Sequence, residues 1–196
     1  MRKFLVSGLV LVVLAGLVAC ANSPQQLSPV PRLKGSFAAT GHGQVVQLQV
    51  LDGRSSAVLG TRGGLYPETS TVSVPGTTLL PRLSEQVEKA LRLMGFTPAS
   101  QAGAGAPRMT VTLAELKYQS PKDSLYVTEA AINAVFRLEV EHGGRRYSGR
   151  YSASLEQKFG MRPDEEENNQ LVSDVLSDAL DRLFRDASLG TLLNGA

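Results

Sequence analysis

The sequence predicts an α+β fold, a two-layer sandwich in which a mainly antiparallel sheet carries two amphipathic helices packed on one face. Two sets of apolar residues recur at helical spacing: Leu80, Leu83, Val87, Leu91 and Met94, then Val172, Val175, Leu176, Ala179, Leu180 and Leu183. Between them, residues 131–159 alternate apolar and polar on both sides of Gly143-Gly144, the pattern of a hairpin with one buried face. A sheet with one apolar face and two helices with one apolar stripe each bury all of that surface by stacking in two layers.

Residues 44–52 place Val46, Leu48 and Val50 on one face by the period of two, so a first strand is predicted there, ending at the turn signal Asp52-Gly53-Arg54. Residues 55–76 carry Gly60, Gly63, Gly64, Pro67 and Pro75 and read as a loop with one short extended piece at 71–74. Thr77 and Thr78 offer N-cap hydroxyls and Pro81 suits a first turn, opening the first helix; Gly95 closes it, with Phe96 folding back on the last turn. Met109, Val111 and Leu113 alternate, while Leu116 and Tyr118 continue on the opposite parity, which requires a bulge near Ala114-Glu115. A two-residue glycine turn then pairs Val140 with Tyr147, Leu138 with Gly149, Phe136 with Tyr151, Ala134 with Ala153 and Ile132 with Leu155. The other face pairs Glu141 with Arg146 and Glu139 with Ser148 and is polar; a slip of one residue would expose the whole apolar set. Pro163 and the acidic run Asp164 to Glu167 open the second helix, Arg182 and Arg185 close it, and the tail from Leu189 packs through Leu192 and Leu193.

At 196 residues, 42% hydrophobic and 19% charged, the chain is long enough for one core and has the composition of a folded protein. Lys and Arg number 20 against 18 Asp and Glu, and removing Arg2 and Lys3 with a leader equalises them. That balance lacks the basic footprint of a nucleic-acid binder. One cysteine and two distant histidines supply neither an internal disulfide nor a zinc cage, so no metal or cofactor is expected.

Residues 1–19 begin Met1-Arg2-Lys3 and run apolar from Phe4 to Val18, too short to stay as a spanning helix and typical of a cleaved signal. The junction Leu17-Val18-Ala19-Cys20 is similar to the lipobox of bacterial lipoproteins. That similarity implies cleavage between Ala19 and Cys20, a diacylglyceryl thioether on the sulfur, and an acylated amine with chains such as palmitate. Two or three chains make attachment to a bilayer effectively permanent, whereas one is marginal. Ala21 in place of an aspartate favours the outer membrane. Residues 20–42, with Pro24, Pro29 and Pro31, read as the lipidated end and a flexible tether, and residues 43–196 as a single domain.

The chain resembles the YajG family of bacterial envelope lipoproteins. The resemblance rests on Cys20, the strand end Asp52-x-Arg54, the helix end Met94-Gly95-Phe96, Tyr147 and Tyr151 after the glycine turn, Asn169, and the tail from Asp186 to Leu193. It implies no catalytic activity.

Asp52 and Arg54 are the candidate binding pair, a carboxylate beside a planar guanidinium fork; the alternative is that Asp52 caps its own turn and Arg54 pairs locally. His42 and His142 show no partner in sequence, Ser55-Ser56 lacks a nucleophile-elbow pattern, and Gly60-x-x-Gly63-Gly64 lacks the Lys-Ser/Thr of a phosphate loop. No catalytic set is therefore assigned. Glu165 to Glu167 suit a helix start better than a cation site, and Arg145, Arg146 and Arg150 suit a solubilising edge better than an anion site. The long loop 55–76 is the expected recognition surface. The expectation is a non-enzymatic binding or adapter module, anchored by Cys20 to the outer membrane, facing the periplasm and serving an envelope protein. The alternatives are a carrier or sensor of a small envelope ligand such as a lipid or muropeptide, and a hydrolase whose residues the fold would have to gather.

Overall fold

The computed structural model describes residues 23–63, 66–120 and 128–195. The leader, Ala19, Cys20, Ala21 and Gly64 lie outside the described residues. Among the described residues eight strands and three α-helices follow in the order β1 (Gln25–Gln26), β2 (Val45–Asp52), β3 (Val58–Thr61), β4 (Thr71–Ser73), α1 (Gly76–Leu93), β5 (Thr97–Ala99), β6 (Arg108–Gln119), β7 (Thr128–His142), β8 (Arg145–Phe159), α2 (Glu165–Phe184) and α3 (Ala187–Asn194). The main sheet has the order β5-β2-β6-β7-β8 and a smaller one the order β1-β4-β3. The fold is a mixed α+β sandwich, with α1 over β2 and β5 and α2 over β7 and β8.

The long hairpin has the register that alternation and turn chemistry predict, from Val140 opposite Tyr147 to Ile132 opposite Leu155. Gly143 and Gly144 take φ of 57° and 78°, which side-chain-bearing residues avoid. The bulge falls between Leu113 and Glu115, so Met109, Val111 and Leu113 share the buried face with Leu116 and Tyr118. On the polar face Arg146 and Glu141 pair at 2.7 Å.

Between sheet and helices lies a continuous core that includes Val46, Leu83, Val87, Leu113, Phe136, Leu138, Leu176 and Leu180. Asp164 and Glu167 form a reciprocal capping box at the start of α2. At the end of α1 the Phe96 N–H donates to the Leu91 carbonyl (2.9 Å) and the Gly95 N–H to Arg92 (3.0 Å).

Several local expectations are corrected. The first helix starts at Gly76 with Pro75 as N-cap and no side-chain cap; Thr78 instead donates its hydroxyl to the Pro75 carbonyl (3.0 Å). Pro81 therefore sits in the second turn. The buried stripe runs through Leu79, Leu83, Val87, Ala90 and Leu91, and Leu80, expected in it, falls on its flank. The 55–76 segment holds two strands, β3 and β4, which pair with each other antiparallel, while β4 also pairs with β1, 45 or more residues upstream and beyond any local pattern. Strand β3 crosses the end of β6 so closely that a Cβ at Gly60 would lie 1.9 Å from the Tyr118 carbonyl oxygen. The helical connection after β2 makes β2 parallel to both β5 and β6, so the main sheet is antiparallel only across β6, β7 and β8.

The largest departure is residues 23–42, predicted as a flexible tether. They form a strap laid in the seam between α1 and α2. Gln25, Leu27, Pro29 and Pro31 are buried, while the residues between them face out. The even-numbered residues send their N–H groups to α2: Ser28 to Asn169 Oδ1 (2.6 Å), Val30 to Ser173 Oγ (2.9 Å), Arg32 to Ser177 Oγ (2.8 Å) and Lys34 to Asp181 (3.3 Å). The acceptors are spaced by four residues and the donors by two. Four helical residues rise about 6.0 Å, and two extended or polyproline-like residues advance about 6.2 to 6.6 Å, so the two ladders stay in step. Pro29 and Pro31 fall between the donors, where no N–H is required. From the other side Arg82 of α1 donates to the Ser28 (2.6 Å) and Pro29 (2.8 Å) carbonyls, and Gln86 accepts from the Leu33 N–H (3.2 Å). Proline content, a signal of a tether by composition, here marks a chain held extended against two helices.

Replacing Ser177 by alanine removes the Arg32 acceptor and is expected to cost about 1 kcal/mol in urea unfolding. Amide exchange at Val30 and Arg32 should accelerate more than at the hairpin. Unchanged exchange along the strap would show that the hydroxyl ladder does not hold it.

Candidate functional site

Asp52 and Arg54 meet at the end of β2. Arg54 Nε donates to Asp52 Oδ1 (2.8 Å) and Nη2 to Oδ2 (2.7 Å), a bidentate pair, and Nη2 also reaches the Val74 carbonyl (3.0 Å) just before α1. The Arg54 hydrogen bonds hold the Asp52 carboxyl below the ordinary aspartate range. Arg54 is almost wholly covered, so the fork that would grip a ligand is spent on its own neighbour and ties β2 to the start of α1.

A second cluster joins residues far apart in the chain. Tyr147 and Tyr151 of β8 both donate to Asp186 Oδ2, Tyr147 at 3.0 Å, and Asp186 also accepts the Ser188 N–H (2.9 Å) as N-cap of α3. Burial of Asp186 raises its pKa, but the bonds from Tyr151, Ser188 and Tyr147 outweigh this and hold it below the usual value. Burial and the bond to Asp186 push the Tyr151 phenol far upward, so Tyr151 is a neutral donor. The cluster fastens α3 to β8.

A third cluster lies under β1. Asn168 is fully buried and Arg62 is 4% exposed. The Gln25 oxygen, with its amide oriented to satisfy its neighbours, accepts from Arg62 Nη1 (3.2 Å) and the Glu165 N–H (3.1 Å). Arg62 Nη2 donates to the Ser23 carbonyl. Burial pushes the Tyr118 phenol up to about 12. These groups join the strap, β3, β6 and α2.

His42 is exposed in the strap and His142 Nδ1 faces the Leu192 carbonyl (3.3 Å), so the two histidines are not brought together. Arg145, Arg146 and His142 line an open cleft of about 350 Å³ at the hairpin tip with Arg108 and Glu141. Among the described residues no group of three His, Cys, Asp or Glu residues is placed to hold a metal. Also among them, no helix is long and apolar enough to cross a membrane. In the 55–76 segment, Tyr66 stands 67% exposed beside the short 3-10 turn Pro67–Thr69. Sequence reading missed the acceptor ladder of α2, although Asn169, Ser173, Ser177 and Asp181 recur every fourth residue beside the apolar stripe, a pattern that marks a polar contact line.

Residues 31–194 match a protein family described as "Uncharacterized lipoprotein", of the YajG type. The chain belongs to this lipoprotein family. No curated relative matches its sequence. Among solved structures, the lipoprotein is similar to a Xanthomonas campestris protein of the DUF330 family, at 10% identity and a TM-score of 0.52, over 88% of this chain and 97% of that one. A minor lipoprotein from Acinetobacter baumannii matches at 14% identity and a TM-score of 0.46, over 78% of this chain and 96% of the other. The first likeness shows the fold alone.

Asp52 and Asp186 sit below their unfolded values near 3.9, so each adds stability that is present above about pH 4 and lost as the pH falls through the folded value. The Asp186→Asn variant, which keeps an N-cap, should unfold at lower urea than wild type at pH 7. The gap should close as the pH falls below the ordinary aspartate range and through the lowered folded value. A gap independent of pH would assign the loss to packing and not to the carboxylate.

Proposed function

We propose that this lipoprotein is a non-enzymatic binding or adapter module, anchored through acylated Cys20 to the outer membrane with its domain in the periplasm. The observation that carries the reading is the docking of the strap. Gln25, in β1, stands five residues from Cys20 and is buried against Asn168 and Arg62. Five residues of extended chain reach about 18 Å at most. Anchored there, the domain rides close to the lipid, with the β1 end inward and the His142 to Arg145 turn outward.

The polar clusters support an adapter over a hydrolase, since Asp52, Arg54, Tyr147, Tyr151 and Asp186 are spent on one another. The continuous core between sheet and helices favours it over a carrier with an internal pocket. Mass analysis of protein from its native host should find an acylated N-terminus at Cys20, and density fractionation should place it with outer membranes. The Cys20→Ser form should be released to the periplasmic fraction. An intact leader, or a mature terminus without acyl chains, overturns the anchorage. Photo-crosslinking from position 66 that repeatedly captures no envelope protein counts against the adapter role.

A further inference from the structure

Strand β8 ends the main sheet, and among the described residues no strand pairs with its outer side. An edge of 15 residues is long for a protein that leaves it uncovered. The Ser152 carbonyl shows which backbone groups point outward, because it accepts from Arg182 Nη1 of α2 (2.8 Å) rather than serving only the ladder to β7. Backbone groups alternate in direction along a strand, so those of Ser154, Glu156 and Lys158 point the same way. Arg182 closes the edge at Ser152; among the described residues the stretch beyond it is uncovered.

Beside that stretch runs a groove of about 470 Å³ between β8 and α2. Its floor is mainly apolar: Leu155 and Phe159, with Gln157 between them, from the helix-facing side of β8, and Leu171 and Val175 from the flank of α2. Glu167, Asp174 and Asp178 form its rim, and the single cation there, Lys34 of the strap, is paired with Asp174 at 2.8 Å. A strand added to β8 would lie about 4.8 Å outward, with every second side chain under α2 and over this floor.

We propose that the outer edge of β8 from Ser154 to Lys158, with the groove under α2, is the docking site for an extended peptide segment of a protein partner, apolar at alternate residues and flanked by basic residues. This rests on the adapter reading and names the chemistry of its partner. The open backbone supplies the pairing, the floor takes the apolar side chains, and the acidic rim selects the basic flanks. Arg182 is an internal precedent, a basic side chain that crosses from α2 to the edge backbone. A second copy fits less well, because antiparallel pairing of two β8 edges puts both helix layers on one side of the joined sheet and sets acidic rim against acidic rim. An anionic lipid surface meets the same repulsion.

The test uses the mature chain carrying Cys20→Ser and fluorescent peptides of about nine residues, with alternating valine and serine between terminal lysines or between terminal glutamates. The lysine-flanked peptide should bind about tenfold more tightly than the glutamate-flanked one, and Asp174→Asn with Asp178→Asn should remove that preference. Glu156→Pro removes an outward N–H that β7 does not use and should abolish binding at an unchanged melting temperature. Equal binding of both peptides, no binding up to about 1 mM, or binding that survives Glu156→Pro overturns the site. So does sedimentation showing a dimer that Glu156→Pro dissolves without any peptide binding. Anchorage and photo-crosslinking from position 66 do not depend on this edge, so failure here leaves the adapter reading to be judged on its own results.

Discussion

Two chain segments more than 130 residues apart advance by nearly the same distance per repeat, and the arrangement of the helical layer depends on that match. Asn169, Ser173, Ser177 and Asp181 stand one above another on α2 and receive N–H groups from Ser28, Val30, Arg32 and Lys34. Ser173 and Ser177 also donate to the carbonyls four residues before them (2.6 Å each), so each hydroxyl is used in both directions. A buried backbone donor without an acceptor carries its full desolvation cost, and the ladder removes that cost from a strap with almost no partners in its own sheet. The strap then closes the seam between α1 and α2, and Leu27, Pro29 and Pro31 complete a layer that two helices alone would leave open.

The same economy governs the polar interior. The Asp52 and Arg54 pair, the two tyrosines on Asp186, and the Gln25, Arg62, Asn168 and Tyr118 group each join elements distant in sequence. Each is a candidate site by residue type and a fastening by geometry, because most of its donors and acceptors meet one another, although Arg54 Nη1, Arg62 Nε and Asn168 Oδ1 are buried without a partner among the described residues.

Much was legible from local pattern. The β7 and β8 register followed from alternation across Gly143-Gly144, the bulge from the parity change after Leu113, and the second helix from its stripe and its acidic start. These features arise from contacts between neighbours in sequence or across one tight turn, where period and turn chemistry act directly. Tyr147, Tyr151 and Asp186 were each visible as family features, but their meeting at one carboxylate oxygen was not.

By itself the sequence determined the class of fold, the two helices and the hairpin register, because hydrophobic period and glycine turns are written in adjacent residues. Only the tertiary structure decided that residues 23–42 are a strap and not a tether, that 55–76 pairs with β1, and that Asp52 and Arg54 satisfy each other. The physical reason is that composition reports what a segment cannot do alone, here form a helix. Where its N–H groups find acceptors depends on a helix more than a hundred residues away.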